Sequence, residues 1–365
     1  MRRVLIASFD RVPSPKGASQ HILATFDALR ERADPSLLTL GDAPIPGINH
    51  LTLNIQESNW LRRAMRFSAE VRAIVERRGF DVYHVRSPWE GLAIPYGEPL
   101  LYEVNGLASI ETPYHHPDMS QHPSLREKLR RLELALLDRA TRIITPSSVT
   151  AGYLTDLGVS ADRIDVVPNK PSFAPRENTA PSDGPVRLVY HGTLTAWQGL
   201  HDLIHGLSRL RSLAWTLTIL TGTHRQKWLK RLIRKRALAD RIVVRSALPA
   251  AELGAFLAGC HLGVAPLTPC ERNLIQGCMP IKILDAMAAG LPVLAPDIPV
   301  VRDILGEDFP TYAAWSRTNM TSRLEAWITD AASRRSWGAR NRSRVTSMFS
   351  ADEQRRRLQE SYQRL

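Results

Sequence analysis

One pattern, run through twice, limits what this chain can fold into more than any other feature. Short apolar, often β-branched runs alternate with longer amphipathic segments. In the first half the runs fall at residues 3–8, 37–40, 81–85, 100–104, 142–146 and 164–168, and residues 61–78 and 125–140 show helical spacing between them. Runs that are apolar throughout, rather than on every second residue, belong to strands covered on both faces, which means a parallel sheet between helix layers. Residues 171–185 break the pattern with Pro, Ser, Asn and Asp and read as a linker. The alternation then restarts. Strand-like runs fall at 186–192, 215–222, 241–246, 262–267 and 292–296, and helical segments at 200–211, 226–238, 250–258 and 281–289. From Thr318 the pattern is helical only.

The fold class expected is α/β, with two doubly wound, Rossmann-like domains facing across a cleft and helices at the C-terminus. A length of 365 residues suits two domains. The expected division is 1–172 for an acceptor-binding domain, 173–185 for the linker and 186–348 for a nucleotide-sugar domain. Residues 349–365 are expected as a helix that packs back on the first domain. In such sheets ligands sit at the carboxyl ends of the strands.

Three cysteines without CxxC spacing exclude a disulfide scaffold and fit a reducing compartment. No run reaches the roughly 20 apolar residues of a bilayer span. The apolar stretch after the two N-terminal arginines ends at Asp10, too soon for a secretory signal, so a cytoplasmic location is expected.

The segment 270–295 carries the densest chemistry. A loop ends at Pro280, and Pro in a first helical turn is pre-organised for helix entry. The N–H groups of that turn lack intrahelical partners and suit an anion. Lys282 stands where a cation opposes the helix dipole, which a bound anion explains better than helix stability does. Asp285 lies three residues on, on the same face, where a carboxylate can meet hydroxyl groups. The plainer reading is a buried helix with a solvated Lys and Asp. Near the N-terminus, Gly17 and Ala18 open a helix after the first strand, a second place where backbone N–H groups can approach an anion. Glu103, Asn105 and Gly106 lie at the end of a predicted strand, His84 and Arg86 at the end of another, and a polar loop with Glu111, Tyr114, His115 and His116 follows. No third ligand accompanies the His pair at metal spacing and no Asp-x-Asp pair occurs, so no metal site is expected.

The stretch Pro-Ile-Lys-Ile-Leu-Asp-Ala-Met-Ala-Ala-Gly-Leu-Pro-Val-Leu-Ala at 280–295 resembles the helix motif of retaining family-4 glycosyltransferases of the GT-B fold. The resemblance extends along the chain, through Pro-Lys-Gly-Ala-Ser at 15–19, residues 154–169, residues 189–204 and the run at 261–267, in the family's order. It implies a nucleotide-sugar donor, UDP-sugar favoured, held by the C-terminal domain as a substrate, with no cofactor. It implies a donor diphosphate met by Gly17, Ala18, Gly192, Thr193, Gln198 and Lys282, and a ribose met by Asp285. The donor-sugar loop would comprise Asn273, Gln276, Gly277 and Cys278, and the acceptor side His84, Arg86, Glu103 and Glu111. Asn105 stands where the family often has His, and with Lys282 is the expected catalytic pair. In a same-face transfer the leaving phosphate itself takes the acceptor's proton, so no strong base is needed.

Three charges usual in the family are replaced. The first acidic position of the helix motif falls on Gly277, and the two cations of the diphosphate clamp fall on Thr193 and Gln198. Backbone N–H groups of 192–193 and 276–278, with Lys282, are the expected substitutes. The alternative is a catalytically impaired pseudo-glycosyltransferase that binds nucleotide as a partner protein.

The balance of 48 basic against 36 acidic residues, +12 in all, concentrates in helical segments. Residues 225–245 hold nine basic residues against Asp240 alone. No zinc-finger, RRM or helix-turn-helix pattern accompanies the charge, which argues against nucleic acid. The segments 61–78 and 125–142 are the expected faces for a peripheral membrane contact, and the acceptor can be a lipid-linked glycan, a polysaccharide or a small metabolite.

Overall fold

The computed structural model describes residues 1–14, 17–116, 122–223 and 226–365. Pro15 and Lys16 of the N-terminal loop motif, Pro117 and Arg225 lie outside the described residues. The chain divides into two compact units, the first comprising Met1–Pro168 with Gln354–Leu365, the second Asn169–Glu353.

In the first unit the elements are β1 (Arg2–Arg11), α1 (Gly17–Leu29), β2 (Ala33–Leu40), β3 (His50–Leu53), α2 (Trp60–Arg78), β4 (Val82–Val85), α3 (Pro88–Gly91), β5 (Leu100–Glu103), α4 (Ala108–His115), α5 (Pro123–Arg139), β6 (Arg142–Thr145), α6 (Ser148–Asp156) and β7 (Ile164–Val166). The strands form one parallel sheet in the order β3-β2-β1-β4-β5-β6-β7. Successive strand residues feed opposite faces. Leu5, Ala7, Tyr83, Val85, Leu100 and Tyr102 pack with Phe67 and Val71 of α2 and Leu136 of α5. Val4, Ile6, Val82 and Leu101 turn the other way, onto Ile22 and Phe26 of α1 and onto Leu358.

The second unit begins, after a segment without helix or strand, with β8 (Val186–His191), α7 (Leu200–Ser208), β9 (Trp215–Thr221), α8 (Lys227–Lys235), β10 (Ile242–Ser246), α9 (Ala250–Ala258), β11 (Leu262–Val264), α10 (Ile281–Ala288) and β12 (Val293–Leu294). It continues with α11 (Pro299–Leu305), α12 (Arg317–Thr329) and α13 (Ala331–Met348). Its sheet is parallel in the order β10-β9-β8-β11-β12. In both units the order reverses beside the first strand, as it does in doubly wound sheets. A last helix, α14 (Ala351–Gln363), supplies Leu358 and Tyr362 to the first unit's core. The α/β architecture with two parallel sheets is therefore the one that the alternation predicts.

Three local differences have physical causes. The polar loop expected after Glu103 is instead α4, whose start is held by buried Glu133: Ser109 donates its N–H and its hydroxyl to that carboxylate, at 2.9 and 2.5 Å. Strand β3, a four-residue run beginning with His, escapes the sequence pattern, because His50 is buried by pairing with the Thr39 hydroxyl at 2.9 Å. Residues 173–185 belong to the second unit and are pinned to it. The Arg176 N–H donates to the Ala288 carbonyl, and the Asn178 amide to the Ala258 and Cys260 carbonyls.

Helix α10 lies close on β11 because Gly263 has no side chain. A Cβ there would stand 2.7 Å from the Ala286 Cβ. Gly263→Ala is expected to lower stability by about 1–3 kcal/mol in urea unfolding. Gly152→Ala, on α6 with open space around it, should be neutral or slightly stabilising, since Ala is the better helix former. Equal effects at the two sites would contradict this packing.

Candidate functional site

The site in the second unit is built around Lys282. Its helix, α10, begins after Pro280, with no side-chain cap and no acidic residue in the first turn. Lys282 turns back toward the carboxyl end of β8. There its Nζ lies 3.9 Å from the centre of the Tyr190 ring and donates to Gln198 Oε1 at 2.5 Å. The Tyr190 hydroxyl donates to the Thr193 carbonyl, which fixes the ring as a floor. Gly192 makes the approach possible: a Cβ on it would meet Lys282 Nζ at 3.3 Å, and its φ of +133° favours glycine.

No carboxylate pairs with Lys282 among the described residues. Burial, and then the charge of Arg272, hold its pKa well below the ordinary lysine value. Arg272 was not singled out by the sequence pattern. It stands in a single π-helical turn, Arg272–Gln276, with its guanidinium 4.5 Å from the Trp197 ring centre and its Nη1 donating to Asn273 at 3.0 Å. Trp197 is buried, so it packs beneath the loop. His191, next to Gly192, is pushed down to about 3 by burial and by Lys282, and so is neutral. Two basic groups and a neutral imidazole thus gather at one strand end.

Several expected donor residues have other duties in this structure. The Gly192 N–H donates to the Leu220 carbonyl at 3.0 Å, continuing the sheet, so it is not an open amide for phosphate. Gly192 serves by lacking a side chain. Thr193 is exposed, and its hydroxyl pairs with that of Thr195 at 3.2 Å. Asn273 is fully buried, and its amide donates to the Trp197 and Thr268 carbonyls at 3.1 and 2.7 Å, so it staples loops together. Gln276 and Cys278 are also buried, with the Gln276 amide on the Gly277 carbonyl and Cys278 Sγ 3.9 Å from Asn273 Oδ1. Asp285 accepts from the Ser172 N–H at 2.6 Å and from its hydroxyl at 3.0 Å, with His191 Nε2 at 3.6 Å. It is 1% exposed, so it meets a ribose only if the Ser172 segment gives way.

The first unit gathers its residues around Glu103, at the carboxyl end of β5. His84 Nε2 lies 2.9 Å and His21 Nε2 2.7 Å from its carboxylate, Arg86 Nε 3.4 Å, and the Asn105 amide donates to it. Burial acts to raise the Glu103 pKa. The Arg86 charge, His21 and the hydrogen bonds outweigh it and hold the carboxyl well below its usual range. His84 is fully buried rather than presented to an acceptor, and its Nδ1 pairs with the Tyr362 hydroxyl of α14 at 2.7 Å. Arg86 also reaches Asp10 at 3.4 Å and the Ala18 carbonyl at 3.5 Å, which ties it to the start of α1 where Gly17 lies. Glu111 leans over Gly106, where a Cβ would meet its carboxylate. The space beside His21, Glu103 and Asn105 is about 10 Å³, room for one water and not for a sugar. Sequence periodicity could not point to His21 or Tyr362, since His21 is one helix residue among many and Tyr362 lies 278 residues from His84. No group of three or more His, Cys, Asp or Glu that could hold a metal occurs among the described residues.

Comparisons with known proteins identify the family and the fold. Residues 15–169 match the family described as Glycosyltransferase Family 4, and residues 185–330 match Glycosyl transferases group 1. The chain belongs to this glycosyltransferase family, and its fold is that of the GT-B enzymes. It is 27% identical to glycogen synthase of Mycobacterium tuberculosis over 281 residues, 74% of this chain, and spans 65% of that relative's length. Sucrose-phosphate synthase from Thermosynechococcus elongatus superposes with a TM-score of 0.83 at 16% identity, over 100% of this chain and 98% of that one. Anabaena HepE in complex with UDP and glucose gives 0.76 at 18% identity, with both chains fully covered.

The buried carboxyl beneath the site has a measurable consequence. Burial raises Asp285 to about 7, against an ordinary value of 3.8. Between those values the folded protein holds a proton that the unfolded chain has lost, so this group's contribution is full at low pH and fades as pH rises through about 7. Asp285→Asn should therefore flatten the fall in urea-unfolding stability between pH 5 and pH 8, by on the order of 2 kcal/mol. An unchanged pH dependence would contradict the raised value.

Proposed function

We propose that this protein transfers a sugar from a nucleotide-diphosphate donor, with a UDP-sugar favoured, to a hydroxyl acceptor, with retention of configuration and without a metal ion. One observation carries the reading: Lys282, partly buried and without an ion-pair partner among the described residues, stands at a helix N-terminus beside Arg272. This ammonium lacks a counter-charge among the described residues, and a diphosphate supplies it. Charge that grows on the leaving phosphate is then met by groups already in place, which is where preorganised donors lower a barrier. Gln198 holds the ammonium until the phosphate arrives. The lysine and the first-turn N–H groups do the charge neutralisation that a metal performs elsewhere. The UDP preference is supported by Anabaena HepE, whose structures contain UDP and UDP-glucose.

In the step proposed, the bond from the sugar's anomeric carbon to the diphosphate oxygen breaks and a bond to the acceptor oxygen forms on the same face. The acceptor's proton passes to the leaving diphosphate oxygen. Asn105 suits a positioning part in this step. Its amide N–H is committed to Glu103, and its carbonyl oxygen can accept from a hydroxyl. Glu103, His84 and Arg86 then hold that edge of the sheet rather than touch the acceptor, whose class, lipid-linked glycan, polysaccharide or small metabolite, is open to assay. A nucleotide-binding pseudo-glycosyltransferase is the second reading, motivated by Thr193, Gln198 and Gly277 at positions where charges are expected.

Calorimetry with UDP and assays with radiolabelled UDP-sugars test this. Lys282→Met should weaken UDP binding about ten- to a hundredfold, the worth of a charge-assisted bond, and abolish donor turnover. The wild-type affinity should fall as pH rises through the lowered lysine pKa, because only the protonated form pairs with phosphate, and that slope should vanish in the variant. Equal affinity in wild type and variant would overturn the donor site. Binding without turnover across the donor panel would support the second reading.

A further inference from the structure

Helix α8 carries Lys227, Lys230, Arg231, Arg234 and Lys235 and no acidic residue. All five are exposed, and none makes an ion pair or a side-chain hydrogen bond among the described residues. Their arrangement works against the helix. The pairs 227–231, 230–234 and 231–235 set like charges four residues apart, which destabilises a helix, and Lys227 opposes the dipole at its start.

Arg62, Arg66 and Arg72 of α2 are also exposed and without a side-chain partner among the described residues, but several basic residues around α2 and α5 are engaged. Arg63 stacks over Phe9 and donates to the Glu57 carbonyl. Arg139 donates to the Leu92 and Ile94 carbonyls, Arg142 pairs with Asp165, and Arg131 pairs with Glu127. These lie in or beside α2 and α5, the faces that the sequence suggests for a membrane contact. Glu70 and Glu76 further dilute the charge of α2. Helix α8 has no interspersed acid, and its five cations have no side-chain partner among the described residues.

Its apolar residues differ in exposure, with Leu232 half-buried. Leu229 and Ile233 are buried and hold the helix on its unit. Trp228 is 42% exposed, and its position, three residues before Arg231 and seven before Lys235, puts it on their stripe. An indole set among exposed cations matches the headgroup level of a bilayer, where an amphipathic ring and basic side chains are each favoured.

We propose that the outward face of α8 docks on an anionic lipid surface, with the five cations on headgroup phosphates and Trp228 in the interfacial layer. The charge alone fits any polyanion; the exposed indole selects the lipid surface. The contact is independent of the donor reading, since vesicle binding is read without turnover.

The test is co-sedimentation of the full chain with phosphatidylcholine vesicles, with and without phosphatidylglycerol, at physiological salt. Wild type should sediment only with the anionic vesicles. The double variant Lys230→Glu/Arg234→Glu should lose more than about tenfold in partitioning, and Trp228→Ala should lose severalfold while keeping its charge. Thermal unfolding verifies that both variants remain folded. Arg66→Glu/Arg72→Glu on α2 should sediment as wild type does. The proposal is overturned if wild type ignores anionic vesicles, if the α8 double variant binds them as well as wild type, or if the α2 variant alone loses binding. It is overturned equally if the α8 face binds an RNA or DNA oligomer and not vesicles.

Discussion

A partly buried lysine ammonium with no carboxylate beside it among the described residues is the constraint on which the second unit's site depends. Desolvating a cation is costly, and the usual remedy is an opposite charge. Among the described residues Lys282 has the face of the Tyr190 ring and the Gln198 amide oxygen, with Arg272 adding repulsion. Around that cost the local structure is ordered. Gly192 gives up a side chain to admit the ammonium, Trp197 is buried under the Arg272 loop, and Asn273 ties that loop to two carbonyls. The strain is local and electrostatic, of the kind that the proposed donor diphosphate would relieve.

The first unit solves the reverse problem. Glu103 is buried as an anion and is compensated several times over, by Arg86, His21, His84 and the Asn105 amide. Part of that compensation comes from the far end of the chain, where Tyr362 bonds His84. Helix α14 is fastened at other points too: Arg364 pairs with Asp165, and the Gln359 amide donates to the Ala28 carbonyl. The last residues of the chain therefore complete the first unit's core and brace its strand-end cluster.

Much of the fold was legible because it rests on local periodicity. Apolar runs of strand length and amphipathic segments of helix length are readable without tertiary information, whereas the strand order comes from the structure. Strand β3 was not legible, since it depends on a His50–Thr39 contact that no periodicity announces. Within the site, Lys282 stood out because a lysine in a first helical turn contradicts the dipole. Its partner Gln198 lies 84 residues away, and only the fold reveals that the two meet. Arg272 gave no signal, because one arginine among so many in this chain carries none. Asp285 and Asn273 were legible as polar residues in an apolar helix and its loop, but not as groups whose hydrogen bonds are spent inside the unit. Composition showed the excess of positive charge; the structure shows that the five cations of α8 are unpaired among the described residues and share their helix with no acid.

The claim that the donor diphosphate completes the Lys282 site is tested most directly by a crystal structure of the protein with UDP. The account predicts a β-phosphate oxygen about 2.7–3.1 Å from Lys282 Nζ, with the Gln198 side chain released from the ammonium. A diphosphate bound away from α10, with Lys282 still on Gln198, would contradict it.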